Sequence, residues 1–151
     1  MIESIVKNCL ITRPSLPAVA GTSAITGGDI IDLASASEGC FDSVCFVALL
    51  GTVTNGSVVT LKANYGDESD LSDGAYKTTT ATVTGTGTSA FADNNLLILD
   101  VVKPGKRYVR ADLTRATANC VLDSIVAVRY NARNVPTGTV ATIADAEISV
   151  A

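Results

Sequence analysis

The stretch DSVCFVALLGTVTNGSVVTLKANY, residues 42–65, decides the fold class. Asp42 to Val53 reads as one strand. In Ser57 to Tyr65, Val59, Leu61 and Ala63 alternate with Val58, Thr60 and Lys62, the two-residue period of a pleated strand. Asn55-Gly56 lies between them. This pair favours a two-residue hairpin, because a type I′ turn needs positive φ at both central residues. The segment therefore predicts two strands joined by a tight turn.

Working outward, the same alternation recurs between turn signals. Asp29 to Ala34 is a short strand and Ser35 to Phe41 a loop. Tyr76 to Thr88 is Thr-rich, which suits a weak or edge strand. Asn94 to Lys103 contains Leu96-Leu97-Ile98-Leu99, apolar on both faces, as in a sandwich interior or a covered face. Pro104-Gly105 turns the chain into Arg107 to Thr114, Arg115 to Asn119 loops into Val121 to Tyr130, and Thr139 to Val150 closes it. The expectation is one all-β domain, a β-sandwich or jelly roll of eight or nine antiparallel strands over residues 18–151. Residues 1–17 precede it as a strand or arm. Arg13-Pro14-Ser15-Leu16-Pro17 ends that segment, since prolines resist regular ladder pairing.

Composition agrees with this architecture. The chain has 151 residues, enough for one sizeable core. It is 47% hydrophobic with three Phe, four Tyr and no Trp, so aliphatic residues must fill the interior. Eighteen threonines favour strands, because β-branching stiffens χ1. Charged residues make up 17% of the chain, below the usual ~25%, which leaves a neutral surface suited to a covering partner. Residues 103–133 carry seven cations against two acids, and the rest carries four against thirteen. That asymmetry predicts a dipolar surface. No apolar run reaches 18 residues and Glu3 sits where a signal peptide carries cations, so neither a membrane partner nor a cleaved leader is expected. Cys9, Cys40, Cys45 and Cys120 have no metal or redox spacing and read as reduced, buried thiols.

Histidine is absent, which removes the usual general base, the Ser-His and Cys-His nucleophile pairs and most zinc sites. Carboxylate-only glycoside chemistry needs a sugar platform, and aromatics are few. The expectation is no catalysis and no cofactor. The loop Asp67-Glu68-Ser69-Asp70-Leu71-Ser72-Asp73-Gly74 lacks the register of an EF-hand and reads as a solvated turn, with a weak calcium site as the alternative. Alternation puts Lys106, Tyr108 and Arg110 on one strand face and Arg107 and Val109 on the other. A split basic surface on an acidic protein of pI about 4.6 argues against nucleic acid and for pairing with acidic neighbours within or between subunits.

One order of elements resembles a known group. Phe41-Asp42-Ser43-Val44-Cys45-Phe46-Val47 and Leu50-Gly51 precede the Asn55-Gly56 turn. The acidic Asp67-Glu68, the strand Lys106-Arg107-Tyr108-Val109-Arg110, and Ile125-Val126-Ala127-Val128 leading to Asn134-Val135-Pro136 follow. This order, over residues 29–136, resembles small structural proteins of tailed phages, among them capsid cement (decoration) proteins of jelly-roll type. The resemblance implies a virion protein on the outer capsid surface that bridges major capsid protein subunits as a homodimer or homotrimer. Alternatives are a head-completion or tail protein, or a carbohydrate- or ligand-binding module. The candidate contact residues are Ile2, Ile5, Val6, Leu10 and Arg13 on the N-terminal segment, with Lys106, Tyr108 and Arg110 on the basic strand. Extended arms gain interface without a larger core, provided that they bury apolar side chains on binding.

Overall fold

The computed structural model describes residues 5–86 and 93–134 and is all-β apart from one helical turn, α1 (Ile5–Asn8). The side chains of Val6, Lys7 and Asn134 are not described. Eleven strands follow: β1 (Leu10–Ser15), β2 (Ala18–Gly21), β3 (Ile31–Asp32), β4 (Ala34–Ser35), β5 (Gly39–Val53), β6 (Val58–Gly66), β7 (Ala75–Tyr76), β8 (Ala81–Thr84), β9 (Leu96–Val102), β10 (Tyr108–Ala116) and β11 (Cys120–Asn134). The sandwich expected from the sequence is present. The strand number exceeds the expected eight or nine because β2 was not expected, and because the strands expected over Asp29 to Ala34 and Tyr76 to Thr88 are each split in two, into β3 with β4 and β7 with β8. The strand expected over Thr139 to Val150 lies outside the described residues.

Two antiparallel sheets face each other. In the first, the long strands β11 and β5 pair side by side; β1 and β2 flank β11, while β9 and β4 flank β5. In the second, β10 pairs β6; β3 flanks β10, while β7 and β8 flank β6. The sheets bury a core of Val44, Phe46, Ala48 and Leu50 from β5 with Leu122, Ile125 and Ala127 from β11. Across from them stand Val59, Leu61 and Ala63 of β6 and Val109, Ala111 and Leu113 of β10. Leu97, Leu99 and Val101 of β9 complete the interior. Each fully buried Val, Leu, Ile or Phe contributes about 1.5–3 kcal/mol through apolar area removed from water.

The Asn55-Gly56 turn departs from the hairpin expected. β5 and β6 do not pair with each other, because each has both flanks occupied within its own sheet. The turn instead carries the chain from one sheet to the other. Its geometry differs accordingly: Gly56 has φ 82° while Asn55 stays at negative φ, so this is not a type I′ turn. Ser57 N–H donates to Thr54 O at 2.9 Å to close it. Gly85 then straps it, accepting from Gly56 N–H at 2.8 Å and donating to Ser57 O at 2.9 Å. Gly56→Val forces a β-branched residue to positive φ and is expected to cost roughly 1–3 kcal/mol in a denaturant melt. An unchanged midpoint contradicts the strained turn.

Of the strand and the arm that the sequence left open for the N-terminal segment, residues 10–15 take the strand. One helical turn precedes β1, and β1 pairs with β11 through Leu10↔Arg129, Ile11↔Val128 and Thr12↔Ala127. The ladder continues past Pro14 by shifting register between Thr12 and Ser15, where an irregularity tolerates the missing N–H. Residues 10–15 are thus an edge strand of the chain's own sheet.

Candidate docking surfaces

The eight most exposed large apolar side chains among the described residues fall mainly into two groups. Ile5, Leu16 and Val19 belong to the N-terminal edge and are 66%, 67% and 86% exposed. Ile11, Leu96, Ile98 and Val102 lie on β1 and β9, while Tyr76 sits apart on β7.

The N-terminal edge is held rigidly despite its exposure. Arg115, on β10, donates to Ser23 O at 2.8 Å, Val19 O at 2.8 Å and Cys120 O at 2.7 Å, which fixes the segment carrying β2. Its guanidinium presents a planar fork that satisfies several carbonyls at once. A shallow groove of about 900 Å³ runs beside this segment, lined by Arg13, Leu16, Ala18 and Ile25 among others. Leu16 and Val19 therefore stand at a preformed edge, where burial against a partner orders little new chain.

The outward side of the first sheet is the second surface. Registers place Ile11, Val128, Cys45 and Asp100 in one row across β1, β11, β5 and β9. Val126, Val47 and Ile98 form the next row, and Leu49 and Leu96 extend it. Val47, Leu49, Val126 and Val128 are half-buried by their neighbours alone. The outward side of the second sheet has different chemistry. There Lys62 stands opposite Asp112 and Thr60 opposite Thr114, with Thr82 donating to Thr60 Oγ1 at 3.0 Å. Asp112, 1% exposed, accepts from Arg110 Nε at 2.8 Å, Arg110 Nη2 at 3.1 Å and Tyr76 Oη at 2.9 Å. That side is sealed by its own polar pairing.

The candidate contact residues from the sequence divide. Ile5 and Arg13 are exposed. Ile2 lies outside the described residues, as does the side chain of Val6. Leu10 must leave the set: it is 3% exposed and packs in the core, because its strand is laddered into the sheet. Lys106 pairs with Asp67, while Tyr108 is half-buried with the Arg107 guanidinium 5.1 Å from its ring centre. Arg110 is committed to Asp112. Tyr108 aside, the basic strand spends its groups inside the molecule. The missed residues were Val19, Val47, Val126 and Val128, while Leu16, an apolar group of the N-terminal segment, stands exposed. The double-sided apolar run at Leu96 to Leu99 was the signal for the second surface.

The dipolar surface expected from the sequence is partly neutralised. Arg107, Arg129, Arg133 and Lys106 reach across to Asp32, Glu38, Asp42 and Asp67, all from the acidic remainder of the chain. Arg107 binds Asp32 in bidentate fashion at 2.9 and 2.8 Å, and its hydrogen bonds hold the Asp32 carboxyl below the usual range. In the acidic loop, Asp73 accepts from Asp67 N–H at 2.9 Å and Glu68 N–H at 3.1 Å, and Asp70 from Ser72 N–H at 2.9 Å. These backbone bonds depress the Asp70 and Asp73 carboxyls too. The loop uses its acids to cap its own turn, and no cluster of three or more metal-ligating side chains occurs among the described residues.

A carboxyl depressed in the fold lends stability above its unfolded pKa of about 3.9, and this is lost as pH falls through the folded value. The melting temperature is therefore expected to drop as pH is lowered below about 4. Asp32→Asn should flatten that dependence in calorimetric scans; an identical acid profile contradicts the Arg107–Asp32 assignment.

Fold and surfaces define the chain as a β-sandwich with two apolar areas turned to solvent. Its sequence matches no protein-family model, and no curated protein matches it.

Proposed function

We propose that the chain is a non-enzymatic virion structural protein. In this reading it binds the outer surface of a phage capsid and stabilises the shell by bridging major capsid protein subunits. The observation that carries the reading is the N-terminal edge, where Leu16 and Val19 are 67% and 86% exposed beside backbone that Arg115 holds at Val19 and Ser23. A docking protein needs a stiff core and a preformed apolar edge, and both are supplied here. A lattice of equivalent sites then turns modest affinity per contact into lasting attachment. The resemblance of residues 29–136 to cement proteins supports the same reading.

The test is co-sedimentation of the purified protein with emptied, expanded phage capsid shells. Binding should raise the shell's disruption temperature. Leu16→Asp with Val19→Asp should weaken it at least tenfold, about 1.4 kcal/mol, with the protein's own circular dichroism melt unchanged. Absence of shell binding by the wild-type chain overturns the proposal. Glycan-array binding in its place points to a carbohydrate-binding module.

A further inference from the structure

We infer that the outward side of the first sheet is a self-complementary surface on which a second copy of the chain docks, related by a two-fold axis along the strands. This deepens the reading above, whose homo-oligomer it locates; its apolar rows lie apart from Leu16 and Val19, with Arg13 on the border of both surfaces.

Three observations carry it. The first is the apolar width of the face: Ile11, Val128 and Cys45 in one row, Val126, Val47 and Ile98 in the next. Ile98 and Val102 are each 57% exposed and Leu96 is 54% exposed. The second is the contrast with the opposite side of the sandwich, where Arg110, Asp112, Tyr76 and the threonines satisfy one another. One protein has thus left one sheet apolar to solvent and sealed the other with polar pairs.

The third is the placement of charge. Arg13, exposed on β1, has no ion-pair or hydrogen-bond partner among the described residues, and it lies at one flank of the apolar rows. Asp100, on β9, lies at the other flank, accepting one hydrogen bond from Tyr130 Oη at 2.7 Å. A carboxylate accepts several bonds, so capacity remains for an arginine. A two-fold axis along the strands exchanges the flanks and lays β1 of one copy over β9 of the other. Arg13 then meets Asp100 twice, with β5 over β11 between them. The two residues are offset by about two positions, roughly 7 Å along a strand, a span that an arginine side chain covers. A two-fold interface requires just this kind of self-matching patch.

Size sets the strength. Four strands about 4.8 Å apart and seven residues at ~3.3 Å give a flat footprint near 19 Å by 23 Å. Stable interfaces start at roughly 600 Å² of accessible surface per partner, and a flat footprint of about 440 Å² falls below that, so the dimer should be weak and exchange with concentration.

The test is sedimentation equilibrium on the full chain over a wide concentration range. A monomer–dimer equilibrium is expected, with Ile98→Asp weakening it at least tenfold and leaving the melting temperature of the dilute monomer unchanged. Arg13→Glu and Asp100→Arg should each weaken it, and the double reversal should restore it. A monomer at every concentration overturns the inference, as does a trimer, or a dimer indifferent to Ile98→Asp. Failure of the double reversal to recover affinity also overturns it. A monomer that melts lower with Ile98→Asp means that residues 135–151 of the same chain cover the face, which overturns it too. A monomer whose Ile98→Asp form no longer binds shells leaves the capsid as occupant, sinking the self-docking and keeping the proposed function. A dimer that binds no shell does the reverse.

Discussion

Phe46→Ala is expected to destabilise the protein by about 3–5 kcal/mol, the range for deleting a buried aromatic ring from a core. Phe46 has 0% exposure at the middle of β5, and β5 is hydrogen-bonded on both flanks, opposite Ala127 and Leu99. With both neighbouring strands fixed by their ladders, the site cannot collapse around the vacancy, and the cavity cost adds to the lost burial. Denaturant melts of the variant and the wild type read the difference directly. A loss under about 1 kcal/mol means that the ring is not a core element of the sandwich.

Asp112→Ala has the next largest expected effect, roughly 2–4 kcal/mol. Removing the carboxylate strands the Arg110 guanidinium, whose side chain is 20% exposed, and deprives Tyr76 Oη of its acceptor. The residual exposure of Arg110 keeps the figure below that of a fully buried pair. The penalty belongs to the unpaired remainder rather than to the pair itself, so Arg110→Met with Asp112→Leu should recover most of the loss. If the double variant is as unstable as Asp112→Ala, the hydrogen bonds themselves stabilise the fold, and the account in terms of a stranded cation fails.

Much of this architecture was legible in the sequence, and what escaped has identifiable causes. Strands β6 and β10 announce themselves through two-residue alternation, a consequence of a pleat with one face in the core, while β9 and the middle of β11 show as short runs apolar on both faces. The partners of a strand leave no such mark. Asn55-Gly56 looks the same whether the next strand pairs beside β5 or crosses to the opposite sheet, because the choice depends on which flanks are free. The charge asymmetry misled for a related reason. Sequence separation hid that Asp32, Glu38, Asp42 and Asp67 fold against the basic segment. Of the candidate contacts, Leu10 failed because the prolines after it did not end the ladder, while Ile5 and Arg13 stand exposed. Leu16 and Val19 sit in a stretch without periodicity, where nothing but three-dimensional placement distinguishes a solvent-facing apolar residue from a core one.

The position of β11 has a consequence for how the protein is made. This strand lies between β5 on one flank and β1 with β2 on the other, yet it is the last of the described strands to leave the ribosome. Until it emerges, β1 and β2 have no partner in the sheet and one flank of β5 stays open, so the first sheet has a gap at its middle. Its pairings join residues 67 (Val53 to Cys120) to 119 (Leu10 to Arg129) positions apart, and such long-range closure is slow, in the millisecond-to-second range for sandwiches. The nascent chain therefore waits with Phe46 and its neighbours uncovered, at synthesis speeds of about 5–20 residues per second. Folding of the first sheet therefore waits on β11, and the waiting chain is the form most in need of a chaperone.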